Sequence, residues 1–471
     1  MTEINSDSRK YLLLGIDIGT TAVKIAVVDL LTRQSVACNS RVHNAAIQGL
    51  PEGHHEQDVH VLMAAVDECM QDIQKRANVH MQQIRRIGVC GQMHGCVRWS
   101  EQNIEQHSTL TTWMDSRCNR SFLESLPKSK SPLHAGFGCA SLAWLQQHHQ
   151  LHAESWTKSG TVMDYFVCKL LCRTSPIMSD QNAYGWGYFD CAKQTWDFER
   201  IEEARIPRTF LPEIQQAGSA AGTLPNDWHG IPAGVSVHCA FGDLQCTFHV
   251  QSQQHCAVLH IGTSAQLSFE ADKRLVSAPA SVDCVPYTTG THIAVAASLN
   301  GGNVIDLFVR VVCDWCADMV GIPVDHQKAW AKVSELLQSA DTVHNIDQLM
   351  QLRPTVFGER HCPQMTAELH QITAHNMSLK QVLHALAKGL LDNLNEMLPA
   401  KMLHEHDIHT VLLVGMAAKP LFTALAERLY APYSIKVQPL LRQDLTAAHA
   451  AALFVETSCD AFVDNRNQNV T

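Results

Sequence analysis

Two stretches far apart in the chain carry residue types that handle phosphate. Ile18-Gly-Thr-Thr-Ala22 sits between two apolar runs spanning 12–28, and Ile261-Gly-Thr-Ser-Ala265 sits between two more spanning 257–269. A tight glycine turn lets backbone N–H groups approach phosphate oxygens, and flanking hydroxyls add donors. Gly19, Thr20 and Thr21 make the first candidate turn, and Gly262 and Thr263 the second. Asp17, one residue ahead of Ile18, is placed to hold Mg2+ directly or through water, and Lys24 offers local positive charge. Asp243, in Phe241-Gly-Asp-Leu-Gln245 after an apolar run, is the kind of carboxylate that takes a proton from an acceptor hydroxyl in phosphoryl transfer. Each feature alone has a plain reading, a simple hairpin or a helix N-cap. Together they favour a phosphate clamp.

The surrounding elements fit that use. Each Gly-Thr break reads as a β-hairpin, and the repetition at this distance points to two domains of one design. Ile84–Cys90 reads as a strand entering the loop Gly91-Gln-Met-His-Gly95. Helical apolar spacing runs from Asp58, an N-cap type, to Ala77, and again over 379–398. Thr410–Gly415 reads as a buried strand, followed by a helix from about Pro420 to Tyr430. Strands alternating with helices argue for α/β domains. The expected division is 11–247 and 248–457, with polar tails at 1–10 and 458–471.

Composition narrows the task. The chain has 471 residues, 46% of them hydrophobic, which suffices for two sizeable cores. A formal net charge of −10 argues against wrapping nucleic acid or docking on anionic lipid, so any anionic ligand must be held by local features. No apolar run reaches membrane-spanning length, and the polar start has no signal core. Seventeen cysteines without an export signal suit a reducing, cytoplasmic setting.

The combination of Gly15-Ile-Asp-Ile-Gly-Thr-Thr21, Gly91-Gln-Met-His-Gly95, Trp113-Met-Asp-Ser-Arg117, Gly242-Asp243, Ile261-Gly-Thr263 and Gly358-Glu-Arg360 resembles the FGGY carbohydrate kinases, in the family's order from about residue 11 to 455. The resemblance implies two actin-like, ribonuclease H-like ATPase domains around an interdomain cleft, with sugar on the first lobe and ATP on the second. It implies Asp243 as catalytic base, Met93, His94, Asp115 and Asp243 as sugar contacts, and Asp17 with Asp243 on the Mg2+ side. Gly19, Thr20, Thr21, Lys24, Gly262, Thr263, Gly302 and Gly415 would join Asp17 on the phosphate side. Trp113 reads equally as core packing and is left out. Within the family, Gly136-Phe-Gly-Cys-Ala140, Met178-Ser-Asp-Gln-Asn-Ala183, 298–304 and 354–361 resemble the branch acting on the seven-carbon ketose sedoheptulose. The expected partners are a small sugar and ATP, with the chain a monomer or homodimer. Leu244, where xylulose-type relatives carry a polar residue, points to the same branch.

Other readings stay open at this point: a kinase for xylulose, ribulose or a polyol, a binding module without transfer, or an actin-like ATPase. Gly415-Met-Ala-Ala-Lys-Pro420 and His449 depart from the family on the nucleotide side, which favours weakened ATP binding. Cys313-Asp-Trp-Cys316 lies in a helical pattern and reads as core. His404-Glu-His-Asp-Ile-His409 lacks the four-residue histidine spacing of a zinc helix and reads as a solvated helix end.

Overall fold

In the computed structural model, the first apolar run becomes β1 (Leu12–Ile18), buried at all seven positions, and returns through the Gly19 turn as β2 (Ala22–Asp29). β3 (Ser35–Val42) continues the meander at the sheet edge. The described residues are 11–76, 78–129, 133–272, 275, 278–288, 290–339, 350–440 and 446–455. The tails expected at 1–10 and 458–471 lie outside them, as does Ala77.

Helix α1 (Val59–Gln74) begins where Asp58 accepts hydrogen bonds from the N–H groups of His60 and Val61. Its stripe of Val59, Leu62, Met63, Val66, Met70 and Ile73 is buried in the sheet's core. β4 (Ile84–Gly91) pairs in parallel with β1. Helices α2 (Val162–Leu170) and α3 (Asp180–Trp186) precede β5 (Ala220–Thr223), β6 (Ser236–His238) and β7 (Phe241–Gly242). The sheet order is β5-β6-β4-β1-β2-β3, with β7 also on β4. Helix α4 (Asp243–Gln251) follows at once.

The plan then recurs. β8 (Cys256–Ile261) and β9 (Ala265–Ala271) form the second hairpin, and β10 (Asp283–Pro286) and β11 (His292–Ser298) extend that side. Helix α5 (Gly302–Val320) and helix α6 (Leu379–Met397) lead to β12 (Thr410–Gly415), helix α7 (Pro420–Tyr430) and β13 (Lys436–Pro439). The order is β10-β11-β9-β8-β12-β13. In both sheets an antiparallel hairpin has its first strand paired in parallel with a later strand, β4 in one and β12 in the other.

Two compact units result. The described part of one comprises 11–250, 286–288 and 446–455, and of the other 251–285 and 290–440. The helical residues 447–455, expected in the second lobe, therefore belong to the first unit. Glycines make this possible. A Cβ on Gly15 would lie 1.8 Å from the Ala448 carbonyl oxygen, and one on Gly88 2.1 Å from that of Ala451. Glycine inside a buried strand marks such close backbone approach. His449 is accordingly buried in the first unit, with Nδ1 2.6 Å from the Ser35 hydroxyl. Among the described residues no helix is long and apolar enough to cross a membrane.

Candidate active site

The C-terminal ends of β1, β4 and β7 gather the first unit's chemistry. β4 lies between the other two, with Cys90 opposite Asp17 on one side and Phe241 on the other, and Gly91 opposite Ile18 and Gly242. Asp17 and Asp243 thus flank one strand end, where parallel strands commonly present ligand-binding groups. Gly91 permits the packing, since a Cβ there would meet the Ile18 carbonyl oxygen at 2.3 Å.

The two carboxylates feel one another. Burial raises Asp17 to about 6, opposed by Lys24, whose Nζ lies 3.7 Å away on the facing strand. Burial also raises Asp243 to about 7, and the negative charge of Asp17 pushes it the same way. Asp243 opens α4 and accepts from the Leu244 N–H at 2.8 Å, yet part of the residue stays open to solvent. Asp17 and Asp243, with one half-exposed lysine beside Asp17 on the strand away from Asp243, are an oxygen donor set in need of a further cation. That set fits Mg2+, a hard ion held through carboxylates and water.

The turn ahead of β2 is clasped by a residue not singled out from sequence. His43 donates its backbone N–H to the Thr21 carbonyl and its Nε2–H to the Gly19 carbonyl, both at 3.1 Å. Thr20 accepts at its carbonyl from Gln57 and at its hydroxyl from the Trp113 indole at 3.0 Å. Trp113 is 38% exposed, so it belongs to the site's rim rather than to the core.

Met93 and His94 lie next to these groups. A Cβ on Gly242 would come within 2.6 Å of the Met93 sulfur, which places Met93 beside the residue preceding Asp243. His94 holds φ +74°, donates Nδ1–H to the Gly185 carbonyl at 2.7 Å and stacks on Phe137 at 4.5 Å. Asp115 is 1% exposed and accepts four hydrogen bonds, from the His55 N–H and from the backbone N–H, Nε and Nη2 of Arg117. Its carboxylate therefore builds the loop, and the same Arg117 Nη2 also donates to Glu56.

Sequence reasoning also passed over the residues that hold the strand end. Gln181 accepts from the Gly242 N–H, while Ser179 and Asn182 donate to the Ala240 carbonyl. Gln92 and Gln245 each keep a buried side-chain oxygen without a partner among the described residues. Such acceptors suit a bound water or a ligand hydroxyl. Their signal was present, since both lie inside the quoted motifs, but a glutamine's role depends on packing that sequence does not display.

In the second unit, Gly262, Thr263, Gly302 and Gly415 also converge. Ile261 pairs with Gly415, the Gly302 N–H donates to the Gly262 carbonyl, and the Asn303 N–H to that of Thr263. Gly415 has φ +67°, and a Cβ there would meet the Ile261 carbonyl oxygen at 2.6 Å. Beyond it opens a groove of about 610 Å³ lined by Gly415, Ala418, Lys419, Pro420, Thr423 and Pro439. Burial lowers the Lys419 ammonium below its usual value. Under the turn lies Glu359, fully buried. It accepts from the Ser298 hydroxyl, the Leu299 N–H and the amides of Asn300 and Asn393, fixing the loop that leads to Gly301 and Gly302.

Comparison with known proteins adds independent observations. Residues 12–248 match the family model described as "FGGY family of carbohydrate kinases, N-terminal domain". The chain is 36% identical to the sedoheptulokinase of Mus musculus over 470 residues, covering 93% of this chain and 96% of that protein. It is 37% identical to the sedoheptulokinase of Homo sapiens over 437 residues, covering 86% and 89%. Among solved structures, a ligand-bound xylulose kinase from Lactobacillus acidophilus superposes with TM-score 0.76 at 19% identity, over 96% of this chain and 90% of that one. Plasmodium falciparum glycerol kinase with ADP gives 0.74 at 16% identity, over 96% and 90%.

Proposed function

Because the chain belongs to the FGGY family of carbohydrate kinases, with the two-domain actin-like ATPase fold and the ATP-dependent sugar kinase activity that go with it, we propose that its acceptor is sedoheptulose, phosphorylated at the terminal hydroxyl to sedoheptulose 7-phosphate. The high identity to sedoheptulokinases over most of the chain supports this acceptor. By contrast, the Escherichia coli xylulose kinase is 25% identical over 45% of the chain. Leu244 beside the base is consistent with the same choice.

The observation that carries the mechanism is the placement of Asp243 directly after β7, across the end of β4 from Asp17. A carboxylate raised to about 7 by burial and by Asp17 is basic enough to take a proton near neutral pH. In the proposed reaction it accepts the proton of the sugar hydroxyl, whose oxygen bonds to the γ-phosphorus of ATP as ADP leaves. Met93, His94 and Gln245 orient the sugar beside Asp243, while Asp115 positions the loop that carries Trp113. The turns at Gly19–Thr21 and Gly262–Thr263 would offer the N–H groups and hydroxyls of Thr20, Thr21 and Thr263 to phosphate oxygens, while the N–H groups of Gly19, Gly262 and Gly302 hold the turns themselves in shape. Asp17 and Asp243 would hold Mg2+, which when bound supplies positive charge against the phosphates. Lys24 keeps Asp17 ionised in its absence. The groove past Gly415 supports a nucleotide base, with apolar Ala418 and Pro420 in its walls.

The test is ADP release with Mg-ATP over sedoheptulose, xylulose, ribulose and glycerol. The expected result is the highest kcat/KM with sedoheptulose. A higher value for a five-carbon ketose would replace the acceptor, and sugar-independent release would replace the reaction.

A further inference from the structure

Three side chains that phosphoryl transfer does not use meet in the second unit, at the strand ends away from the glycine turns. His255 immediately precedes β8, and Asp407 and His409 lie just before β12, its parallel neighbour. The two segments are tied where the His409 N–H donates to the His255 carbonyl at 2.9 Å. His255 Nδ1 lies 3.0 Å from one Asp407 carboxylate oxygen, and His409 Nε2 lies 3.1 Å from the other. The imidazole rings stack at 28° with centroids 5.7 Å apart, and a ligand atom from each residue lies within 4.8 Å of the others.

That spacing is meaningful for coordination. Ligand atoms about 2.0–2.2 Å from a shared ion, at tetrahedral or octahedral angles, stand roughly 3.0–3.5 Å apart. His255 and Asp407 both hold positive φ, +57° and +60°. All three residues are exposed, so an ion can reach them from solvent. The motif around His404–His409 lacks zinc-helix spacing on its own. The fold completes it with His255, 152 residues ahead of Asp407.

We infer that His255, Asp407 and His409 form a surface site for a divalent transition metal, with water in the remaining positions. Two imidazoles and one carboxylate suit Zn2+, Ni2+ or Cu2+, whereas Mg2+ prefers oxygen alone, so this site is separate in chemistry from the nucleotide's cation. It is also separate in space, since the six residues of β8 span roughly 20 Å to the Gly262 turn. The bound ion clips the starts of two neighbouring parallel strands, and its effect falls on stability rather than on turnover. The inference does not depend on the proposed acceptor.

The experiment uses the full-length, untagged chain, stripped with chelator, kept reduced, loaded with Zn2+ alone and dialysed against metal-free buffer. The expected result is one more equivalent of zinc in the wild type than in His255→Ala or His409→Ala. A zinc-dependent rise in Tm should be lost in both variants, with sugar-dependent ADP release equal in all three. Equal zinc content in all three, or the same Tm response in wild type and variants, would overturn the site.

Discussion

Asp243 combines two demands that usually conflict. A base must be ionised to work, yet its basicity comes from burial and from the neighbouring Asp17, both of which oppose ionisation. Asp243→Asn should therefore lower turnover by about 10²–10⁴-fold while leaving Tm unchanged or raised, because a strained charge is removed. Turnover and a melting curve on the same preparation check both halves. The free-enzyme profile follows from the same value. Below about pH 7 the carboxyl of Asp243 takes up a proton and ceases to be a base, so kcat/KM for the sugar should fall on the acid side. A flat profile from pH 8 to 5 would remove Asp243 from the role. The residue types were legible from sequence because two glycine turns and two carboxylates occur together, although each alone reads as a plain hairpin or a helix cap. His43, Gln57, Gln92 and Gln181 were not, since their importance lies in which carbonyl or amide they reach, across gaps of 24 to 61 residues.

Local elements were legible to within about a residue, except that the helix read as ending at Ala77 stops at Gln74. Hairpins, the Asp58 cap and helix α7 follow from hydrophobic period and turn chemistry, which are properties of neighbouring residues. The pairing of distant segments was not, and Glu359 shows why. Glu359 reaches Ser298 and Asn393 across 61 and 34 residues to brace the loop before Gly302. Glu359→Gln turns one acceptor into a donor facing other donors, a conflict costing about 1–3 kcal/mol. Steady-state kinetics should then show KM for ATP raised roughly tenfold with KM for the sugar unchanged; equal effects on both would make Glu359 a general fold residue. A local element carries its own prediction: Asp164, in the capping box of α2, is buried and raised to about 7. A carboxyl raised from 3.8 contributes stability that is complete below the unfolded value and lost as pH climbs through about 7. Asp164→Asn should thus stabilise the protein at pH 8, on the order of 2 kcal/mol. The gain should shrink to nothing near pH 4, as read from Tm against pH.

The duplicated plan, a glycine-turn hairpin paired in parallel with a later strand, organises both units. It was visible in sequence because Ile18–Ala22 and Ile261–Ala265 nearly coincide. The way the chain returns its final described helix to the first unit was hidden, because it depends on glycines at 15 and 88 meeting alanines more than 350 residues later. Gly88→Ala should cost about 1–3 kcal/mol or more by forcing residues 447–455 away from β4, lowering Tm without altering the order of sugar preference. The central claim concerns what the assembled molecule does with one proton. Its most direct test is the initial rate of sedoheptulose 7-phosphate formation from Mg-ATP at pH 8 by the wild type and Asp243→Asn side by side. Rapid product is expected in the first and a loss of at least two orders of magnitude in a folded second. Comparable rates in the two proteins would contradict it.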